Sequence, residues 1–318
     1  MTKTTIVWLM FLCVSFTTCS RQPNNIAVIK FATHPALDEF ESGFLDYLAA
    51  AKMHNTRLAT INIEKYNANG NPQRAKELAE IASRSDVQLI VAIATPAAQA
   101  VCRTPTNIPL LYGAVADPNG AGIIPSDRAT GIQNAGPNII WRAVRIIHLL
   151  FPNARRIGTM YNPGEQNSVY VQGLIKQVCD SLRIDLIQRT ITDPSQLSSM
   201  TEDLASSVDL IYSANDNSVN AGVASVVSVC NATRKPFIIG DLSTLYKGPL
   251  IAIGLEYRSM GAQLAMMAEQ ILLGRPLSEI PPEGSPDPKV WLNRNTLTSL
   301  GITLSREGVS KIDSILTY

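Results

Sequence analysis

The stretch Val87-Gln-Leu-Ile-Val-Ala-Ile-Ala-Thr-Pro-Ala-Ala-Gln-Ala100 decides how the chain is read. Its apolar run shows no polar alternation, which suits a strand covered on both faces in a parallel sheet. The run stops at Thr95-Pro96, and a helical pattern follows. Thr95 is expected to cap that helix, with Pro96 as its first residue. A strand that ends on a hydroxyl and a helix N-terminus leaves backbone N–H groups unpaired at the sheet's carboxyl edge, where a small anion can be held.

The construction recurs further along. Val87-Gln-Leu-Ile90 matches Val208-Asp-Leu-Ile211, and the same offset carries Thr95 onto Asp216. Thr106-Asn-Ile-Pro109 precedes the apolar Leu110-Leu111, as Thr233-Arg-Lys-Pro236 precedes Phe237-Ile-Ile239. The chain therefore reads as two related halves.

With 318 residues, 46% apolar and 17% charged, the chain can bury one large core or two ordinary ones. Its 27 basic and 26 acidic residues show no strong clustering, so there is no electrostatic case for nucleic acid as a partner. Residues 1–19 differ from the rest. Lys3 supplies a positive start, Ile6 to Phe16 are mostly apolar, and Thr17-Thr18-Cys19 follows, the layout of an export signal too short for a comfortable membrane span. Cys19 resembles the lipidated cysteine of a bacterial lipoprotein, with Phe16 and Thr18 in place of the usual aliphatic and very small residues; the alternative is an ordinary cleaved signal in which Cys19 is incidental. Cys102, Cys179 and Cys230 fall in separate helical patterns and read as buried helix cysteines, and His34, His54 and His148 are too scattered for a metal site.

Strands are expected at Asn25–Ala32, Leu58–Ile63, the opening stretch, and Pro109–Val115, with a short strand at Thr130–Ile132. A second series follows at Arg156–Tyr161, Ile184–Thr190, Val208–Ser213, Pro236–Gly240 and Leu250–Leu255. Helices alternate with them, which specifies doubly wound parallel sheets, one in each half. Late elements include a helix at Tyr257–Leu273, and a Pro-rich stretch, Ile280 to Pro288, that leads through Val290-Trp-Leu-Asn293 to a short helix near Thr296.

Six motifs lie in order between Ile26 and Leu304: His34-Pro-Ala-Leu-Asp38, Ala94-Thr-Pro-Ala-Ala-Gln-Ala100, Val115-Ala-Asp-Pro118, Tyr161-Asn-Pro-Gly-Glu-Gln-Asn-Ser168, Asp216-Asn217 and Lys247-Gly-Pro-Leu250. In these the chain resembles the ABC transporter substrate-binding proteins of the tryptophan-binding type. The resemblance implies the type I periplasmic binding fold, an α/β architecture of two doubly wound parallel-sheet lobes joined by hinge strands. The first lobe would comprise residues 25–137 plus about 256–280, and the second 138–255 plus about 285–318. It further implies capture of a small solute, with an amino acid such as tryptophan favoured, by hinge closure, and no cofactor. The partners implied are an ABC permease with its ATPase, and a membrane reached through the lipid on Cys19.

A zwitterion needs donors around its carboxylate and acceptors around its ammonium. For the carboxylate the candidates are Thr95 with the amides after Pro96, and Asn167 and Ser168 from the second half; helix capping competes for each. For the ammonium the candidates are Asp117, Asp216 and Asp241, each ending an apolar strand and each equally suited to capping or to pairing with a lysine. Asp216, with Asn217 beside it, is preferred because the repeat sets it opposite Thr95. His34 either touches the ligand side chain or bonds its own loop. Phe31, Tyr112, Tyr161 and Tyr246 supply either an aromatic wall or core and surface packing, and Glu165 is either a rim residue or a helix-start charge. An α/β enzyme is the rival reading, but no G-x-S-x-G elbow, Walker loop or G-x-G-x-x-G fingerprint is present. A ligand-sensing receptor of the same fold is a second. A transcriptional regulator would need a DNA-binding helix-turn-helix where this chain has an export signal.

Overall fold

The computed structural model describes residues 24–123, 128–214, 216–284 and 286–318. Cys19 and the expected leader, residues 1–19, lie outside them. Among the described residues no helix is long and apolar enough to cross a membrane.

The first series runs β1 (Asn25–Lys30), α1 (Pro35–His54), α2 (Thr56–Ala59), β2 (Asn62–Asn67), α3 (Pro72–Ala82), β3 (Val87–Ile93), α4 (Thr95–Arg103), β4 (Leu110–Val115) and β5 (Ala129–Gln133). The second runs α5 (Pro137–Leu150), β6 (Arg156–Tyr161), α6 (Gln166–Leu182), β7 (Asp185–Thr190), α7 (Leu197–Ser207), β8 (Leu210–Ser213), α8 (Asn217–Ala221), α9 (Val223–Ala232), β9 (Phe237–Asp241) and β10 (Ile251–Leu255). The chain closes with α10 (Tyr257–Leu272), β11 (Lys289–Asn293), α11 (Arg294–Leu300), α12 (Arg306–Val309) and β12 (Ser314–Leu316).

Two sheets result. The first has strand order β2-β1-β3-β4-β5; the second has β7-β6-β8-β9-β10-β11-β12. Each strand of the first sheet has its counterpart five strands later, so the halves share one topology. Pairing is parallel throughout except between β10 and β11. β3 sits in the middle of its sheet and six of its seven residues are buried, which is why its sequence shows no alternation. Its counterpart β8 is buried throughout and sends alternate residues to two cores. Leu210 and Tyr212 pack with α5 and α6, while Ile211 packs with α7 and α9.

The second strand lies four residues later than its apolar content suggested. Asn55 caps the short turn α2 by accepting from the Arg57 amide at 3.0 Å, and pairing with β1 then begins at Asn62. β2 is an edge strand, half-exposed and carrying Glu64 and Lys65, so it offers no buried-strand signature. The three-residue β12, an edge strand of the second sheet, is likewise at least partly exposed along its length and has no buried-strand signature.

The chain crosses between the sheets after β5, after β10 and again before β11. The last crossing lies beside β5: Glu283 N donates to Gly131 O at 2.9 Å, and Gln133 N donates to Glu283 O at 3.0 Å. Between the second and third crossings, α10 returns to the first lobe and packs into its core, with Met260 and Leu264 buried among residues of β1, β3 and β4. There α10 lies against α1 so closely that each helix needs a glycine. A Cβ on Gly43 would stand 1.9 Å from Arg258 O, and one on Gly261 would stand 2.0 Å from Phe40 O.

Candidate ligand-binding site

Strand ends of both sheets converge on one narrow cavity of about 20 Å³, far smaller than an occupied small-molecule site, so the lobes stand drawn together over it. From the first lobe come His34 and Leu37 near the start of α1, Thr95 at the start of α4, Ala114 in β4 and Asn134 just beyond β5. Asn167 of α6 and Asn217 and Asn220 of α8 come from the second, and Tyr257 opens α10 at the hinge. Helices that follow parallel strands start at the sheet's carboxyl edge, so two sheets aimed at one another bring six or more polar side chains into a single gap.

Thr95 was expected to cap α4, and it does not. The cap is Ala94, held at φ 82°, and Thr95 is the first helical residue. Thr95 Oγ1 makes no capping bond to the helix amides and is buried with no hydrogen-bond partner. Ala114, at φ 55°, is a second alanine in the left-handed region, on the neighbouring strand. Such backbone costs on the order of 1–3 kcal/mol each and concentrates at functional sites.

His34 precedes α1 without capping it. Its Nε2 lies 3.0 Å from Asn217 Oδ1, a hydrogen bond from one lobe to the other, while its Nδ1 is buried without a partner. Burial drives its pKa down to about 4, outweighing the bond to Asn217, so the ring is neutral across the physiological range. At the hinge Asn134 Nδ2 donates to the Tyr257 hydroxyl at 3.1 Å, tying the first two crossings together behind the cavity. The Asn220 Oδ1 atom is likewise buried and unpartnered.

The three acids proposed for an ammonium are placed elsewhere. Asp216 is the N-cap of α8: its oxygens accept from Val219 N at 2.8 Å and Asn162 N at 2.7 Å, and Ser168 adds its hydroxyl. Burial raises its pKa, and with its lone pairs so occupied it stands behind the cavity wall, as does Ser168. Asp241 ends β9 and accepts from Ser243 N at 2.9 Å and Ser243 Oγ at 2.6 Å. Burial pushes it up to about 6, against those bonds, Lys247 and the backbone of Ala36 across the lobe boundary. Asp117 accepts from Gly120 N at 3.0 Å in a surface turn. Capping, the competing use weighed for each, is what these acids do.

The aromatic wall is also built differently. Phe31 lines a second, more open groove with Pro96, Gly164 and Glu165, while Tyr161 lies at the end of β6, away from the cavity lining. Tyr112 is fully buried in the core of the first lobe, its hydroxyl pushed up to about 12 by burial, and Tyr246 is exposed beneath the Lys247 ammonium. Tyr257 is the ring on the cavity, and neither it nor Asn134 and Asn220 carried a sequence signal. They follow a hinge or lie one helical turn beyond a motif, positions that only folding brings to the gap. Among the described residues no group of three His, Cys, Asp or Glu side chains is arranged to hold a metal ion.

Two parallel-sheet α/β lobes meeting at their carboxyl edges are the architecture of the periplasmic binding proteins. A family model described as ABC transporter substrate binding protein matches residues 25–314, and the chain belongs to that family. It is a family of extracytoplasmic solute-binding proteins that work with an ABC transporter. Over 301 residues the chain is 26% identical to a tyrosine-binding protein of Clostridioides difficile, covering 93% of this chain and 87% of that one. A structure from Streptococcus pneumonia in complex with L-Trp superposes with a TM-score of 0.85 at 24% identity, covering 93% of this chain and all of that one. The ligand-free, open structure of a substrate binding protein with adhesive properties from Clostridium difficile gives 0.67 at 25% identity over the same shares.

Proposed function

We infer that this chain captures an aromatic amino acid between its lobes and delivers it, closed around the solute, to an ABC permease. The observation that carries the reading is the cavity itself, where Thr95 Oγ1, His34 Nδ1 and Asn220 Oδ1 are buried and unpartnered and lie on both lobes. Leaving a buried polar atom unpaired costs about 1–3 kcal/mol, and a bound zwitterion supplies the partners. The Thr95 hydroxyl and the first amides of α4 suit a carboxylate; the His34 and Asn220 acceptors suit an ammonium. Among the described residues no carboxylate lines this cavity, so the ammonium is held by neutral acceptors, with the Glu165 and Asp216 side chains one layer behind.

Aromatic selectivity is favoured by two relatives, one named for tyrosine and one holding L-Trp. Closure is favoured by the His34–Asn217 bond and by the higher TM-score to the L-Trp complex than to the open structure at nearly equal identity. Solute that contacts both lobes stabilises the closed state, and that state is what a permease reads. At ligand a hundred times its Kd, binding adds about 2.7 kcal/mol of stability, which raises Tm by about 5 °C in a thermal-shift screen of amino acids. Failure of tryptophan, tyrosine and phenylalanine alike to raise it removes the aromatic assignment.

Anchoring through a lipid on Cys19 belongs to the same reading. A chain carrying Cys19→Ala is then expected in the soluble rather than the membrane fraction of producing cells; an unchanged distribution counts against the anchor.

A further inference from the structure

Behind the cavity wall lies a partly buried hydrogen-bond chain whose donors converge on Glu165 from both sides. Asn162 Nδ2 donates to Ser218 Oγ at 3.0 Å, and Ser218 Oγ donates to Glu165 Oε1 at 3.1 Å. The other oxygen, Glu165 Oε2, accepts from Asn217 Nδ2. An ionised carboxylate only accepts, so it holds Nδ2 of Asn217 toward itself and turns Oδ1 toward His34. An amide oxygen also only accepts. Nε2 of His34 must therefore carry the ring proton, and Nδ1, buried and unpartnered on the cavity, keeps its lone pair.

We propose that Glu165 is a positioning residue for recognition: through Asn217 it fixes the His34 tautomer that presents an acceptor to the cavity, so that this end of the site selects the ligand's amino group. The assignment rests on the amino-acid reading above and adds to it which ligand group meets His34, and why. An asparagine and a neutral histidine facing one another are each ambiguous, since either can present a donor or an acceptor. Glu165 removes the ambiguity through Asn217, from outside the cavity lining.

The groups facing this chain define its response to pH. Glu165 is only 4% exposed, and Asp216, from the loop before α8, is the acid beside it. Burial and then that neighbouring charge raise Glu165 to about 7, while Asn217, Ser218 and Asn167 pull the other way. His34 is faced by Asp38 on α1, Lys30 on β1 and Lys247 after β9. Below about 7 Glu165 gains a proton and with it a donor, so it can bond either end of the Asn217 amide, and the tautomer is no longer dictated.

Calorimetric titration of the wild type and of Glu165→Gln with L-tryptophan and with indole-3-propionate, which lacks the amino group, tests the assignment. Glutamine keeps the shape but can donate as well as accept. The wild type is expected to prefer tryptophan, more strongly at roughly pH 8 than at roughly pH 6. In Glu165→Gln that preference falls roughly tenfold and loses its pH dependence, while affinity for indole-3-propionate stays unchanged. Parallel loss of both ligands, as from general structural damage, or an unaltered preference overturns the proposal. Nitrogen NMR of histidine-labelled protein supplies a second reading that needs no variant, because the chain has 3 histidines. His34 protonated at Nε2 supports the relay, and His34 protonated at Nδ1 overturns it whatever solute is bound. A wild type that binds neither compound defeats the aromatic amino-acid reading and leaves the tautomer to decide the relay.

Discussion

Replacing Thr95 by valine is expected to weaken tryptophan binding roughly 100-fold while leaving the protein as stable as before or about 1 kcal/mol more so. The two effects have one cause. Oγ1 of Thr95 is buried and has no partner within the protein, since Ala94, at φ 82°, takes the cap position in its place. Valine keeps the shape and removes a desolvated hydroxyl, which favours the folded state. The ligand carboxylate then loses a charge-assisted hydrogen bond worth about 1.5–3 kcal/mol. Calorimetric affinity and thermal melting on the same preparation measure both quantities. A variant with unchanged affinity, or one whose affinity falls only because its melting temperature falls, removes Thr95 from the site.

Gly261→Ala is expected to destabilise the protein by about 3 kcal/mol or more, a larger effect than any truncation at the cavity. The added Cβ would meet Phe40 O at 2.0 Å and Phe44 N at 2.9 Å, atoms of the α1 backbone that cannot rotate aside. α10 must then move off α1 as a body. Gly43 makes the reciprocal approach to Arg258 O at 1.9 Å, so both glycines fix one helix–helix spacing. Because α10 opens with Tyr257, whose hydroxyl accepts from Asn134 at the hinge, moving the helix also disturbs the cavity floor. Urea unfolding measures the loss, and a midpoint equal to the wild type's contradicts the close approach.

The expected placements at the site separated by kind of chemistry. His34, Thr95, Asn167 and Asn217 line the cavity; Asp117, Asp216 and Asp241 do not. The sequence showed acids at strand ends but not how many backbone amides await them there, and a carboxylate beside a fresh helix N-terminus is captured by it. Asp216 and Asp241 each accept from amides within their own lobe. The Thr95 hydroxyl, a weaker competitor for such amides, remains for solute. Glu165 was visible as a helix-start charge, but its reach to Asn217 and thence to His34 spans residues far apart in the chain and two lobes.

By itself the sequence determined the local and repetitive parts of this protein. Uninterrupted apolar runs such as Val87 to Ile93 specify strands covered on both faces, their alternation with helices specifies parallel sheets, and the recurrence of Val87–Ile90 at Val208–Ile211 specifies two lobes of one topology. Hydrophobic periodicity carries that information because burial of a segment is decided mainly by its own side chains. Tertiary structure alone decided which polar ends remain unpaired, how closely α10 approaches α1, and that Asn134, Asn220 and Tyr257 share a wall with Thr95. Those outcomes depend on competition among distant donors and acceptors once water is excluded, and that competition has no periodic trace in the chain.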